Sequence, residues 1–544
     1  MRQWLEHETG TVKKNWRGRT AVALVYPNTY MAGMSSLGFQ TVYRLFNSCD
    51  RIVCERVFTS DQPGQPALSL ESNRPLSRFA AIAFSLSFEN DFSNVLGTLE
   101  QGGVPPVSGG RNASHPLVIA GGIAAGLNPE PLAPFVDCFL IGEAEALIPQ
   151  FLARFDPDRP RQELLQDLAQ NLPGAYVPAF YTPAYNQDGT LRSFTPQNGA
   201  PERVRRVYAP DAASWPTCSS LVTPHTSFDD TYLVEVSRGC GHGCRFCAAG
   251  HVCRPPRFRK EDLLRACMDH GLGITKKIGL LGAAVSDLPC LDSLCKYGME
   301  QGASLSFSSF RANAMSQEIV SALAKSGTKT ATLAPDAGSE RMRQVIKKGI
   351  TEDDVLVAAE SLVAAGIPNL KLYFMVGLPT ETEKDVDAIV DLVKKTKHAF
   401  LKSSRARGRI GRIQVSLNCF VPKPFTPFQW AAMDEVSVLR DKIKKVKNGL
   451  AKVANVDVTS DVPRWAAIQG LLSRGDRRVA GILLAAHKNQ GNWPKTFKET
   501  PVNPDFYTLR ERAQNELFAW DFIDHGLAKD HLFTEYARAR GLAA

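Results

Sequence analysis

Two α/β units in tandem, followed by a mainly helical end, are predicted by three features of the chain. Short apolar runs alternate with amphipathic stretches over residues 20–155. The same alternation returns with a longer period from 231, and helical periodicity dominates after 430. The expected fold class is α/β: a doubly wound parallel sheet, then a partial (βα)6 barrel, then helices.

After an N-terminal extension (1–19), "TAVALVY" (20–26) reads as a buried strand, "SSLGFQTVYRLFN" (35–47) as a helix opened by a serine cap, and "RIVCERVF" (51–58) as a second strand. "FAAIAFSLSF" (79–88), "PLVIAGG" (116–122) and "VDCFLIGEAE" (136–145) supply three more. Strands separated by helices imply a parallel sheet with its ligands at the carboxyl ends of the strands. Residues 156–229 are rich in Pro, Gly, Asn and Asp and read as a β-containing connector, with a hairpin turn at "NQDG". From 230 to 430 the strand candidates are "YLVEVS", "KIGLLG", "SLSFSS" (304–309), "KTATLA", "LKLYFMVG" and "IQVSLNCF". Helical text such as "MSQEIVSALAKSG" lies between them. Thr380 and Glu383 have the spacing of a capping box. Residues 431–544 read as a helical C-terminal domain.

The chain has 544 residues, 44% apolar and 22% charged, the composition of a globular protein of about three domains. No apolar run is long enough to cross a bilayer, and "MRQWLEHETG" lacks a secretory core, so a cytoplasmic protein without a membrane partner is expected. There the 12 cysteines are core residues, metal ligands or redox groups. The formal charge of +9 is concentrated in 394–412, "KKTKHAFLKSSRARGRIGR", and 442–452, "KIKKVKNGLAK". Such strips attract phosphate backbone, but with no interleaved aromatics a solvated helix end is the stronger reading; RNA is weakly supported as a partner.

"VEVSRGCGHGCRFCAAG" (234–250) places Cys240, Cys244 and Cys247 within eight positions just past the first barrel strand, where catalytic loops of such barrels lie. A four-iron cluster held by three thiolates keeps one iron open to a small molecule. Gly241 and Gly243 are expected to allow the tight backbone path. A zinc knuckle completed by His242 or Cys253 is the competing reading, though zinc ligands usually come as two separated couples. "CGHGCRFC", including Phe246 before the third cysteine, resembles the cluster motif of the radical S-adenosylmethionine (SAM) superfamily. The resemblance implies a TIM-type barrel and a 4Fe-4S cluster on these three cysteines. It also implies SAM bound at the open iron, cleaved by one electron to methionine and a 5′-deoxyadenosyl radical, and a reducing partner such as flavodoxin or ferredoxin.

Later segments fit one bound nucleoside. Gly282 closes the second strand where backbone can approach a ligand, Arg311 ends the third and suits a carboxylate, and Asp336 or Glu340 after the fourth suits ribose hydroxyls. The segment around Gly377 resembles the superfamily's adenine-contacting stretch. "APDAGSERMR", "KLYFMVGLPTET", "VPKPFTPFQW" and "LSRGDRRVA" resemble a largely uncharacterised bacterial branch, distantly related to the methylthiotransferases, that carries an N-terminal Rossmann-like domain of cobalamin-binding type. Cobalamin domains that give cobalt a histidine use Asp-x-His-x-x-Gly. Here "NTYMAG" (28–33) substitutes Asn28 and Tyr30 and retains Gly33, while Ser85, Ser87, Gly121 and Gly122 match further elements. Two readings stay open: cobalamin assists a methyl transfer to an unknown substrate, or the domain binds no corrinoid and only shapes the substrate site or holds RNA or a partner. A third, of another class, is a non-enzymatic iron-sulfur or metal-binding protein.

Overall fold

The computed structural model describes residues 2–59, 64–209, 211–308, 310–405 and 410–541. Residues 406–409 of the first basic strip and Ser309 of the third barrel-strand candidate therefore lie outside the described residues.

Five strands, β1 (Thr20–Tyr26), β2 (Ile52–Phe58), β3 (Ala81–Ser85), β4 (Leu117–Gly121) and β5 (Cys138–Leu140), pair in parallel in the order β2-β1-β3-β4-β5. Nearly every residue of β1 is buried, as in a parallel strand covered on both faces. Ser36 caps the following helix, Leu37–Asn47, its hydroxyl accepting from the Phe39 N–H at 3.3 Å. The strand order reverses between β1 and β3, which opens a crevice at their carboxyl ends. The stretch read as a connector adds β6 (Ala175–Tyr176), antiparallel to β5. It also contains a helix, Arg161–Asn171. The expected hairpin at 186–189 joins β7 (Tyr181–Tyr185) and β8 (Leu191–Pro196), with Gly189 at φ +85°. β9 (Val204–Arg205) runs beside a strand from the far C-terminus.

The second unit starts with β10 (Tyr232–Glu235). Next come the short strands β11 (Ser237–Arg238) and β12 (Arg257–Phe258), which pair antiparallel and close the neck of the cysteine loop. β13 (Lys277–Leu281) and β14 (Ser304–Phe307) join β10 in one parallel sheet. β15 (Thr330–Asp336), β16 (Asn369–Val376), β17 (Ile413–Cys419) and β18 (Val456–Ser460) form a second. All six expected barrel strands form, in two arcs, and β18 adds one more to the second; among the described residues no pairing joins β14 to β15. The seventh, β18, lies in text read as helical. It is an edge strand with only Val456 and Val458 on one face and no fully buried residue, so its hydrophobic signal is weak. Along β16 and β17 buried residues alternate with half-exposed ones: one face packs on helices while the other borders an open interior.

The helices Gln317–Lys325 and Glu352–Ala364 occupy the expected text, the second opened by a capping box of Thr351 and Asp354. The Thr380/Glu383 capping box does not form: Thr380 sits at φ +67°, and Thr382 and Asp385 open the helix Glu383–Arg405, Asp385 accepting from the Thr382 N–H at 2.8 Å. The C-terminal part is mainly helical and ends in β19 (Ile523–Asp524), paired with β9, and the helix Lys529–Gly541. Its apolar side chains continue the core of the N-terminal unit. In the second basic stretch Lys442 bridges Glu381 and Asp434, and Lys445 reaches Asp387 at 3.0 Å. Those cations are already partnered within the protein. No helix among the described residues is long and apolar enough to cross a membrane.

Candidate active site

The three cysteines sit on the loop held between β11 and β12. Gly239 enters it at φ +88°, where a Cβ would stand 2.1 Å from the Cys253 carbonyl oxygen, and Gly243 turns it at φ +66°. The glycine requirement thus falls on Gly239 and Gly243, not on Gly241, whose Cβ would meet nothing nearer than 3.8 Å. The Cys247 N–H donates to the Cys244 carbonyl at 3.1 Å, and the backbone N–H groups of Gly250 and Ala249 face the Cys247 sulfur. His251 donates to the Cys244 carbonyl at 3.1 Å through Nε2, and burial pushes its pKa down to about 4, which keeps it neutral.

Electrostatics place the three sulfurs in one neighbourhood. Burial lifts the Cys244 thiol to about 11; Lys348 opposes this, Cys247 and Asp336 add to it, and Arg311 opposes it. Burial also raises Cys247, with a further contribution from Cys240. Cys247 thus hinders the ionisation of Cys244, and Cys240 that of Cys247, a repulsion that a bound cation would relieve. His242 instead pairs with Asp287 at 2.7 Å, and the Cys253 sulfur lies 3.9 Å from Arg206.

Arg245, between two of the cysteines, fixes the loop from behind. Its guanidinium donates to the carbonyls of Gln344 (3.2 Å) and Val345 (2.8 Å) and to Glu535 (3.2 Å), while its own N–H donates to Ile346. Sequence reasoning missed Arg245 and Lys348, because their partners lie about 100 residues away or depend on how β15 ends.

Of the other predicted residues, Asp336 lies closest to the cysteines in electrostatic terms. It ends β15 at φ +64° and is paired with Lys348, with its side chain 14% exposed. Burial raises its pKa against the charges of Lys348 and Arg311. Arg311 donates to the carbonyls of Lys348 (2.7 Å) and Gly349 (3.1 Å), so backbone oxygens already occupy part of the guanidinium expected to meet a carboxylate. Gly282 directly follows β13, where a Cβ would stand 2.6 Å from the Ser237 hydroxyl, and Gly377 directly follows β16 at φ +83° with its N–H on Glu381 at 2.8 Å. Phe246 is partly buried and packs on the core that the N-terminal unit shares with the C-terminal part. Glu340 points away from this group: it is exposed and accepts from the Glu352 N–H at 3.1 Å.

Behind the loop, three carboxylates and four guanidinium groups interlock the two units. Glu143 meets Arg257, Arg238 (3.3 Å) and Arg206 (3.7 Å); Glu145 meets Arg238 (2.7 Å); Glu235 meets Arg238 (2.8 Å) and Arg259. Burial pulls Glu143 upward, but Arg257 and Arg238 hold it below the usual carboxylate range. Against this network lies a cavity of about 510 Å³. It runs from Gly239 and Gly282 of the barrel to the carboxyl ends of β3–β5 and under the helix Leu37–Asn47.

Residues 38–178 match the family model described as "Radical SAM proteins, N-terminal", and residues 234–393 match "Radical SAM superfamily"; together these matches span more than half of the chain. The chain belongs to the radical SAM superfamily. It is an enzyme, and membership implies SAM and a four-iron cluster, together with a reductant and a substrate. Among curated relatives, an uncharacterized protein of Methanocaldococcus jannaschii is 29% identical over 85% of this chain and 90% of its own length. An uncharacterized methyltransferase of Pyrococcus horikoshii is 26% identical over 30% of this chain and 36% of its own. Among solved structures, the cobalamin-dependent radical enzyme OxsB with aqua-cobalamin bound aligns at 13% identity with a TM-score of 0.45. That alignment covers 86% of this chain and 66% of OxsB.

Proposed function

We propose that Cys240, Cys244 and Cys247 hold the cluster, and that Phe246, Gly282, Arg311, Asp336 and the Gly377 turn surround SAM. The observation that carries this reading is the seating of all three cysteines on one short loop pinned at Gly239 and by Arg245, with Cys244 and Cys247 both influenced by a neighbouring cysteine, beside the Asp336–Lys348 pair. When bound, the cluster supplies the electron that splits SAM and yields a carbon radical. The chain's own residues do the rest. Gly239 and Gly243 shape the loop, Arg245 holds it against the C-terminal helix, and the glycines at the ends of β13 and β16 admit a close ligand. Glu340 belongs to this set only if its side chain turns inward.

The N-terminal unit supports a corrinoid as helper in methyl transfer to a substrate. Met31, Phe88 and Ile123, in the segments that follow β1, β3 and β4, are 53%, 46% and 41% exposed around the crevice, an apolar rim suited to a large flat ligand. Gly38 and Gly126 face the cavity with no contact shorter than 3.8 Å for an added Cβ, which keeps room at its wall. One observation favours the reading without a corrinoid. Tyr30, where histidine would reach cobalt, stacks on Trp4 at 4.5 Å and donates its hydroxyl to Glu8 at 2.5 Å, so it is committed inside the protein. Any corrinoid here lacks a ligand from Tyr30.

Anaerobic reconstitution tests the proposal. The wild type should carry about four irons and four sulfides and form 5′-deoxyadenosine or another SAM cleavage product with dithionite. Cys244→Ala should lose the iron. A variant that keeps its full cluster sinks the ligand assignment, and the absence of a corrin band through gel filtration sinks the cobalamin part.

A further inference from the structure

At the polar end of the cavity three side chains from distant parts of the chain hold polar atoms without a partner among the described residues: Arg206 Nη1, Ser237 Oγ and His525 Nδ1. All three residues are more than nine-tenths buried. Arg206 and His525 are neighbours through the β9–β19 pairing, where the Arg206 N–H donates to the Asp524 carbonyl at 2.9 Å. Buried polar atoms in this state cost free energy unless a ligand satisfies them.

The chemistry of each atom is fixed by what its other side does. His525 Nε2 faces the Gly126 carbonyl at 2.9 Å and therefore carries the proton, which leaves Nδ1 as an acceptor. Burial pushes its pKa down to about 3, in keeping with a neutral ring. Arg206 Nη1 is a donor, while its Nη2 is turned to Glu143 and Cys253. Ser237 Oγ serves as either. From this polar end the cavity continues past apolar side chains, among them Leu24, Phe46 and Ile119.

We infer that this cavity binds a ligand with an apolar, ring-sized body and a neutral group that both accepts and donates, a carboxamide or a hydroxyl, read by Arg206 and His525. A carboxylate fits poorly, because its lone pairs meet the lone pair on Nδ1. The subsite stands independently of the corrinoid reading: a corrinoid brings carboxamides and a ribose hydroxyl, whereas a free substrate can bring the same groups.

Matched probes test it on the full-length protein: indole-3-acetamide, indole-3-ethanol and indole-3-acetate, followed by ligand-detected NMR with hydroxocobalamin as competitor. The amide and the alcohol should bind at least tenfold more tightly than the acid. Ser237→Ala, which removes a hydroxyl with no protein partner, should weaken the amide threefold or more without lowering the unfolding temperature. His525→Phe should narrow the amide–acid difference. Acid binding equal to amide binding, or no probe binding at millimolar concentration, overturns the subsite. Displacement of the amide by hydroxocobalamin places the corrinoid in the same cavity. Amide binding that hydroxocobalamin leaves untouched keeps the subsite and removes the corrinoid from it.

Discussion

Arg245 in the cysteine loop and Glu535 in the last helix, 290 residues apart in sequence, are ion-paired at 3.2 Å with both side chains less than a tenth exposed. The pair fastens the loop to the end of the chain. Burial raises Glu535, but hydrogen bonds from Arg538 and Lys347 and the charge of Arg245 outweigh it and leave its pKa at about 2. Its folded value lies below the unfolded one, so this stabilisation is present above about pH 4.5 and is lost as pH falls toward 2. Glu535→Gln should cost about 3 kcal/mol near neutrality and speed iron loss during gel filtration. Thermal unfolding and iron assays at pH 7 check both.

Gly239→Ala should disorder the loop, because its Cβ meets a carbonyl oxygen and its φ is positive. A loss of about 2 kcal/mol or more is expected, with little iron bound after reconstitution. Gly241→Ala, two positions on, has open space and should keep both stability and iron. Equal behaviour of the two variants would contradict the backbone assignment.

Asp91 is buried, 4% exposed, with Asn28 donating to it at 2.7 Å. Burial, with Glu89 nearby, lifts its pKa to about 6 against that hydrogen bond. The stabilising contribution of a raised carboxyl is present below about pH 3.8 and lost as pH rises through 6. Asp91→Asn should therefore stabilise the protein at pH 7, by up to about 3 kcal/mol, and leave it nearly unchanged at pH 4. Urea unfolding at the two pH values decides.

Asp336→Asn keeps a residue type that tolerates positive φ and removes one charge from the proposed SAM pocket. SAM affinity should fall tenfold or more while iron content stays at the wild-type level. A drop in iron with unchanged SAM affinity would assign Asp336 to the support of the cysteine loop instead.

Strand and helix text was legible wherever burial was continuous. "TAVALVY", "PLVIAGG" and "LKLYFMVG" became β1, β4 and β16, because a strand covered on both faces, or packed hard on one, must be apolar. β18 escaped notice because an exposed edge asks little of its side chains. The helix after β16 opens two residues beyond the Thr380/Glu383 spacing, since Thr380 and Thr382 both have an acidic residue three places on and only the backbone turn selects between them.

Local order along the chain was enough to name the cysteine loop: three sulfurs on one short segment need no distant partner to meet. Where the loop is anchored, which carboxylates and guanidinium groups lock the two units together, and what lines the cavity between them were decided only by the folded chain. Arg206, Ser237, His525 and Glu535 look ordinary in the text, and their meaning comes from burial beside residues tens to hundreds of positions away. A buried charge or lone pair must find its complement in space, and sequence distance places no limit on where that complement lies.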